Sequence, residues 1–93
     1  EAKYANLLKK KGAKNITLAV LLYNNGINES AEKYAKLALK DKSKDADLLL
    51  SLIYGNTGKI DLAITHAKKA VANKLTGADN ILKQLEAKKK QAK

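Results

Sequence analysis

Two stretches of the chain, residues 16–23 and 46–54, are apolar at nearly every position. A helix that is apolar all round is one that its neighbours bury on most sides. Each stretch is followed by a segment in which alanine recurs at helical spacing, as Ala31, Ala35 and Ala38 and again as Ala63, Ala67 and Ala70. The pattern predicts buried helices that pack closely against alanine-faced helices, and the chain has no proline to interrupt them.

Short turns are predicted between the two helices of each pair. Residues 24–26 are Asn-Asn-Gly and residues 56–58 are Asn-Thr-Gly. Glycine and asparagine tolerate the left-handed conformation that ends many helices. Asn28 and Asp61 are predicted to cap the N-termini of the second helices, because both side chains can accept hydrogen bonds from free backbone N–H groups.

The chain repeats itself, so that residues 18–39 align with residues 50–71. Each copy contains an apolar stretch, a glycine turn and an alanine-rich stretch, which predicts two helix–turn–helix units at residues 12–43 and 44–75. Residues 76–93 are predicted to form a C-terminal capping helix with a lysine-rich end. Thr76 and Asp79 resemble a capping box at its start, from about Ala78 towards Lys90.

These residues resemble the tetratricopeptide repeat (TPR) family, whose pattern has an apolar and a small residue, an aromatic residue, a turn glycine and two packing alanines. The second copy has Leu50-Ser51, Tyr54, Gly58, Ala63 and Ala70 in this spacing, and the first has Leu18-Ala19, Leu22, Gly26, Ala31 and Ala38. The period is slightly shorter than is usual for the family, and Ser43 and Leu75 stand where a proline usually closes the repeat. The resemblance implies an all-α fold of antiparallel helix-pair repeats stacked as a right-handed TPR-like superhelix.

The N-terminal segment contains a further echo of the repeat. Residues 2–5 have the same Ala-Lys-x-Ala form as residues 35–38 and 67–70. This predicts that residues 1–11 are the second helix of a partial preceding repeat, although an unrelated N-terminal helix is the alternative. Repeat arrays need about three units for stability, and the chain begins at Glu1 without a methionine. We therefore expect a fragment of a longer TPR protein.

No pattern of reactive side chains predicts an enzyme. The chain has no cysteine, and its one histidine, His66, has no second ligand at a metal-binding spacing. We expect His66 to pack or to face solvent, and Ser51 to be a small packing residue of its helix. The five glycines are dispersed at predicted helix ends and form no phosphate-binding loop. The sequence predicts no catalytic site, no metal and no cofactor.

The net charge of +10 comes entirely from lysine, since arginine is absent. The lysines cluster at residues 9–11, 40–44, 68–74 and 88–93, near predicted helix C-termini, where they complement the helix dipole. The same charge would attract an acidic protein, a nucleic acid or an anionic membrane. Without arginine, or aromatics among the lysines, a nucleic-acid role is disfavoured but remains possible. No apolar run approaches the roughly 18 residues that a transmembrane helix needs.

The resemblance to TPR proteins also implies where a partner would bind. In such stacks the first helix of each pair lines a concave face, so the predicted partner-binding groove comprises Ile16, Thr17, Val20, Tyr23, Asn24, Leu48, Leu49, Leu52 and Asn56. The predicted function is a non-catalytic protein–protein interaction scaffold whose partner is a helix or an extended peptide, and the positive charge favours an acidic one. Two alternatives stay open: a basic RNA- or ribosome-associated module, and a purely structural segment of a longer array.

The C-terminal helix is a candidate cover for part of that groove. Its apolar residues Ile81, Leu82 and Leu85 are expected to reach only the second repeat. The groove of the first repeat is therefore expected to stay uncovered by this helix. An exposed apolar patch of several hundred Å² is unusual on a soluble monomer, so we expect a partner to cover it.

Overall fold

A computed structural model of the chain describes residue 12 and residues 14–91. This part of the chain contains five helices and no strand: α1 (Asn15–Asn24), α2 (Asn28–Lys40), α3 (Ala46–Asn56), α4 (Ile60–Ala72) and α5 (Ala78–Gln91). Each helix packs against the next along the chain, and α3 also contacts both α1 and α5. The predicted all-α fold of packed neighbouring helices is confirmed. The helix predicted over residues 1–11 lies outside the described residues.

The repeat period of the sequence recurs in the helix positions. α2 begins at Asn28 and α4 at Ile60, while α3 begins at Ala46 and α5 at Ala78, and both offsets equal the shift that aligns the two copies. The alanines predicted to face a neighbouring helix are all at most 1% exposed: Ala31, Ala35, Ala38, Ala63, Ala67 and Ala70. Side chains this small let the helix backbones approach, as the pattern predicted.

The glycine turns end α1 and α3 in the predicted way. Gly26 and Gly58 have φ values of 76° and 83°, in the left-handed region that favours glycine. After α1, the N–H of Ile27 donates to the carbonyl of Leu22 at 2.9 Å, which is the long-range bond of a Schellman motif. The same motif recurs after α3, where Lys59 donates to Tyr54 at 2.9 Å.

The turns that follow α2 and α4 each contain a lysine in the same left-handed conformation. Lys42 has φ 62° and Lys74 has φ 59°, and the two lysines are at matching positions of the repeat. The N–H of the following residue closes each turn, from Ser43 to the carbonyl of Ala38 and from Leu75 to that of Ala70. A left-handed residue with a Cβ costs roughly 1–2 kcal/mol. These two turns are therefore strained where the glycine turns are not.

The predicted helix N-caps are wrong, by one residue at α2 and by two residues at α4. α2 begins at Asn28 itself and α4 begins at Ile60, so Ile27 and Lys59 occupy the cap positions and neither makes a side-chain cap bond. Neither Asn28 nor Asp61 is a cap. The cause is the short turn: Ile27 closes the Schellman motif of α1 with its N–H and accepts the first bond of α2, from Ala31, with its carbonyl.

The predicted capping box at the last helix is also wrong, because the helix begins one residue later than the box requires. α5 begins at Ala78, and the carbonyl of Gly77 accepts the N–H of Ile81. Thr76 thus lies one residue before the cap position. The Asp79 carboxylate accepts the backbone N–H of Asn80 at 3.0 Å. The predicted extent of the helix, from about Ala78 towards Lys90, is confirmed.

Candidate functional site

The predicted groove residues of α1 lie beside an open, largely apolar cavity. The cavity has a volume of about 430 Å³ and is lined by Ile16, Thr17, Val20, Leu21, Asn24 and Asp45. Val20 is 40% exposed, which is high for a large hydrophobic side chain. Four of the five predicted α1 residues are therefore brought together here, and Tyr23 is not part of the lining.

The predicted groove residues of α3 have three different surroundings. Leu52 and Asn56 line a second cavity of about 380 Å³ between α3 and α5. Leu48 is half-buried and does not line either of the two cavities described here. Leu49 is only 6% exposed and belongs to the core, so its expected exposure is wrong. α3 contacts α1, α2, α4 and α5, whereas α1 contacts α2 and α3, so α3 is the more enclosed of the two among the described helices.

α5 packs closely against α3 near Gly55. Leu85 is 7% exposed and belongs to the core, and Ile81 and Leu82 pack against that core. A Cβ built on Gly55 would lie 3.1 Å from Leu85 Cδ2. A residue larger than glycine at position 55 would therefore press against the α5 side chain. The apolar residues predicted to dock this helix are the ones that do so.

Tyr23 has a different role from the one its position predicted. Its hydroxyl lies 3.3 Å from the Asn56 side-chain nitrogen, which donates to it. The bond joins the last turn of α1 to the last turn of α3. Both residues were predicted to contact a partner, and in the structure they contact each other across the two helix pairs.

Sequence reasoning missed a carboxylate–imidazole pair between α3 and α4. Asp47 Oδ1 lies 2.8 Å from His66 Nδ1, and the side chains are 10% and 13% exposed. The His66 ring stacks on Tyr54 with a centroid separation of 5.6 Å. A signal was present in the sequence, because Asp47 lies at helical spacing from Leu50 and Tyr54 and thus on the buried face of α3.

The pair continues into a polar contact between α2 and α3. The Tyr54 hydroxyl donates to Glu32 Oε2 at 3.2 Å, and the Lys36 ammonium lies 3.0 Å from the same oxygen. The hydrogen bond from Lys36 lowers the pKa of Glu32 below its ordinary value of 4.5, although burial opposes the shift. Burial raises the pKa of Tyr54. The phenol therefore stays protonated and able to donate.

This cluster has the composition of a structural link. The Ser51 hydroxyl is fully buried and donates to the Leu48 carbonyl, so it is not turned towards His66. Among the described residues, no three histidine, cysteine or acidic side chains are grouped so that they could hold a metal ion. The members of the cluster tie α2, α3 and α4 together by direct contacts.

Comparison with family models, with curated proteins and with solved structures finds no match for this chain. None of the described helices is both long enough and apolar enough to cross a membrane. A function for the chain therefore has to be inferred from its own residues and their geometry.

Proposed function

We propose that the chain is a non-catalytic protein-interaction scaffold, a right-handed TPR-type stack and a segment of a longer TPR protein. A helix or an extended segment of a partner protein binds along α1. The observation that carries the proposal is the open cavity beside Val20, a large apolar side chain that is 40% exposed. Full burial of an exposed side chain of this kind is worth roughly 1.5–3 kcal/mol. Val20 would contribute the fraction of this that corresponds to its 40% exposure.

The lining of this cavity suits a protein segment. Ile16, Val20 and Leu21 supply apolar surface, while Thr17 and Asn24 can both donate and accept hydrogen bonds. Asp45 is the one charged residue among the described residues of the lining, in a chain whose net charge is +10. Binding grooves for amphipathic helices and peptides combine an apolar floor with a few placed polar groups in this way.

The first repeat is favoured over the second as the binding site. On α3 the residue matched to Val20 is Leu52, which is half-buried and faces the cavity shared with α5. Access there requires a partner to fit beside Leu85. The α1 cavity has no such neighbour among its described lining residues.

The test compares Val20→Asp with a matched control, Leu62→Asp. Leu62 is on α4, is 47% exposed and lines none of the cavities described for this chain. Each variant and the wild type are immobilised, bound proteins are identified by mass spectrometry, and folding is checked by circular dichroism. We expect Val20→Asp to lose bound proteins that Leu62→Asp keeps, with both variants still helical.

Two results would overturn the proposal. Equal capture by Val20→Asp and the wild type would place any binding elsewhere on the molecule. Unfolding of Val20→Asp but not of Leu62→Asp would show that Val20 is a core residue, and would favour the purely structural role.

A further inference from the structure

A third cavity, lined mainly by residues of α2, contains more charged side chains than the two cavities described above. It has a volume of about 600 Å³ and is lined by Glu29, Glu32, Lys33, Lys36, Leu37, Lys40 and Lys59. Within the described part of the chain, the α1 cavity and the α3–α5 cavity each have a single charged lining residue, Asp45 and Lys88. Of these three cavities, the one at α2 is therefore the one lined by several lysines. We call this the outer groove.

One of the two acidic residues in the outer groove is already neutralised. Glu32 is 3.0 Å from the Lys36 ammonium and accepts the Tyr54 hydroxyl at 3.2 Å. The charge of Lys59 also favours its ionised form. Its carboxylate is therefore satisfied within the protein and repels an incoming anion only weakly. Glu29, at the start of α2, is the remaining acidic residue.

Three lysines of the outer groove stay available to a ligand. The Lys33 ammonium lies 5.8 Å from the centre of the Tyr34 ring, and the Lys59 ammonium lies 5.8 Å from that of Tyr54. A ring face holds an ammonium by its charge without using its N–H donors. Lys40, in the last turn of α2, makes no hydrogen bond or ion pair with the described residues.

We propose that the outer groove docks an acidic helical segment of a second protein partner. Lys33 and Lys40 are two helical turns apart on one face of α2, which places them about 10.5 Å apart along the axis. Carboxylates two turns apart on a partner helix have the same separation. Leu37 lies between the lysines and is half-buried, so it offers an apolar contact to the side chain between those carboxylates.

A protein partner fits the outer groove better than a nucleic acid does. Glu29 is on the groove wall, where it opposes a continuous phosphate backbone. The two nearby aromatic rings are buried, since Tyr34 is 6% and Tyr54 is 3% exposed. Single-stranded nucleic acids bind largely by stacking bases on accessible rings. A segment with spaced carboxylates avoids both problems.

The test uses three fluorescent probes against the full chain. The first is a helical peptide with glutamates two turns apart and a leucine between them, the second replaces that leucine with serine, and the third is an oligo-dT of equal charge. The groove variant is Lys33→Gln/Lys40→Gln. Its control is Lys69→Gln/Lys83→Gln, which removes the same charge from exposed positions on α4 and α5.

We expect the groove variant to bind the leucine peptide about three- to tenfold more weakly than the wild type does at low salt, since each exposed ion pair is worth roughly 0.2–1 kcal/mol. The control variant should stay within about twofold of the wild type, because it loses only long-range attraction. The serine peptide should bind more weakly than the leucine peptide. Val20→Asp should likewise stay within about twofold of the wild type, because the two cavities have no lining residue in common and its added charge acts only at long range.

Two results would overturn the inference. Equal losses in the groove and control variants would mean that only net charge attracts the peptide. Tighter binding of oligo-dT than of the leucine peptide, lost in the groove variant, would assign the groove to nucleic acid instead.

Discussion

The two helix pairs of this protein share a backbone pattern but fill it differently. Their glycine turns and packing alanines match at every position discussed above, as do their two left-handed lysines. Of the many matched positions that differ, four pairs bear directly on the contacts described above: Leu22 and Tyr54, Tyr34 and His66, Asn15 and Asp47, Tyr23 and Gly55. The shared positions set the spacing of the helices, and the four differences decide which contacts form between them.

The first pair is closed by apolar packing and the second by a polar cluster. Leu22 is 2% exposed and contributes only hydrocarbon, whereas Tyr54, 3% exposed, carries a hydroxyl that reaches Glu32 on α2. Asn15 bonds to Asp41 at an exposed site, whereas Asp47 bonds to His66 at a site that is nearly buried. A polar residue at a repeat position is thus inexpensive at an exposed site and needs a partner where the helices enclose it.

The largest expected effect comes from breaking the buried pair of the second repeat. His66→Ala leaves the Asp47 carboxylate without its partner, which should lower the free energy of unfolding by about 2–4 kcal/mol. In the first repeat, Asn15→Ala, at the position matched to Asp47, removes an exposed bond and should cost less than about 1 kcal/mol. Urea denaturation at neutral pH measures both.

The double variant Asp47→Ala/His66→Ala is the control for this prediction. It removes both partners, so no charge is left buried and unpaired. We expect it to cost less than the sum of the two single changes. Additive losses would show that the two side chains do not interact.

The next effect tests the difference between Tyr23 and Gly55. Gly55→Tyr places a side chain against Leu85 Cδ2, which would lie 3.1 Å from the new Cβ. Overpacking of this kind costs roughly 1–3 kcal/mol, and the better helix propensity of tyrosine returns up to about 0.5 kcal/mol. The net loss in urea denaturation should be about 0.5–3 kcal/mol. In the background of Leu85→Ala, Gly55→Tyr should cost clearly less, and an unchanged cost would mean that α5 is not the obstacle.

A smaller effect, in this case a gain in stability, is expected at Lys42 and Lys74, the left-handed lysines in the turns after α2 and α4. Lys42→Gly and Lys74→Gly relieve a left-handed residue of its Cβ, so each should raise the free energy of unfolding by about 0.5–1 kcal/mol. The reverse change at the glycine turns, Gly26→Ala or Gly58→Ala, should lower it by a similar amount. Thermal unfolding of the four variants measures the signs. A loss of stability in both lysine variants would mean that their charges contribute more than the strain costs.

The smallest expected effect is the pH dependence of the contact between α2 and α3. The lowered pKa of Glu32 makes its stabilisation present above the ordinary value of 4.5, and the stabilisation is lost as pH falls through the lowered pKa. The carboxylate is near the surface, so the expected size is a few tenths of a kcal/mol. Glu32→Gln should remove this part of the acid sensitivity in urea titrations. Glu29→Gln is the control, and an equal change there would contradict the prediction.

The helices could be predicted from the sequence because their signals are local. Apolar runs, alanine spacing and turn glycines each act within a few residues, and the positions of Gly26 and Gly58 are enough to end α1 and α3. The N-caps could not be found in the same way. The choice between Ile27 and Asn28 depends on how the Schellman turn closes, which involves hydrogen bonds between the end of one helix and the start of the next.

The candidate site could be predicted only in part. The α1 residues that line its cavity were expected from the resemblance of the repeat to the TPR pattern. The burial of Leu49 could not be predicted in this way, because the repeat matches Leu49 to Thr17, which is exposed. Whether a face is covered depends on which other helices reach it. The outer groove is of the same kind, since Lys59 joins the lysines of α2 only after the chain has turned back twice.

The sequence by itself determined the helices, their pairing and the repeat period, because propensity, turn chemistry and alanine spacing all act over short distances along the chain. Only the tertiary structure decided that Asp47 meets His66, that Tyr54 reaches Glu32 and that Leu85 lies over Gly55. Each of these contacts joins residues of two different helices. The distance between such residues depends on how the helices pack, and no pattern within one helix carries that information.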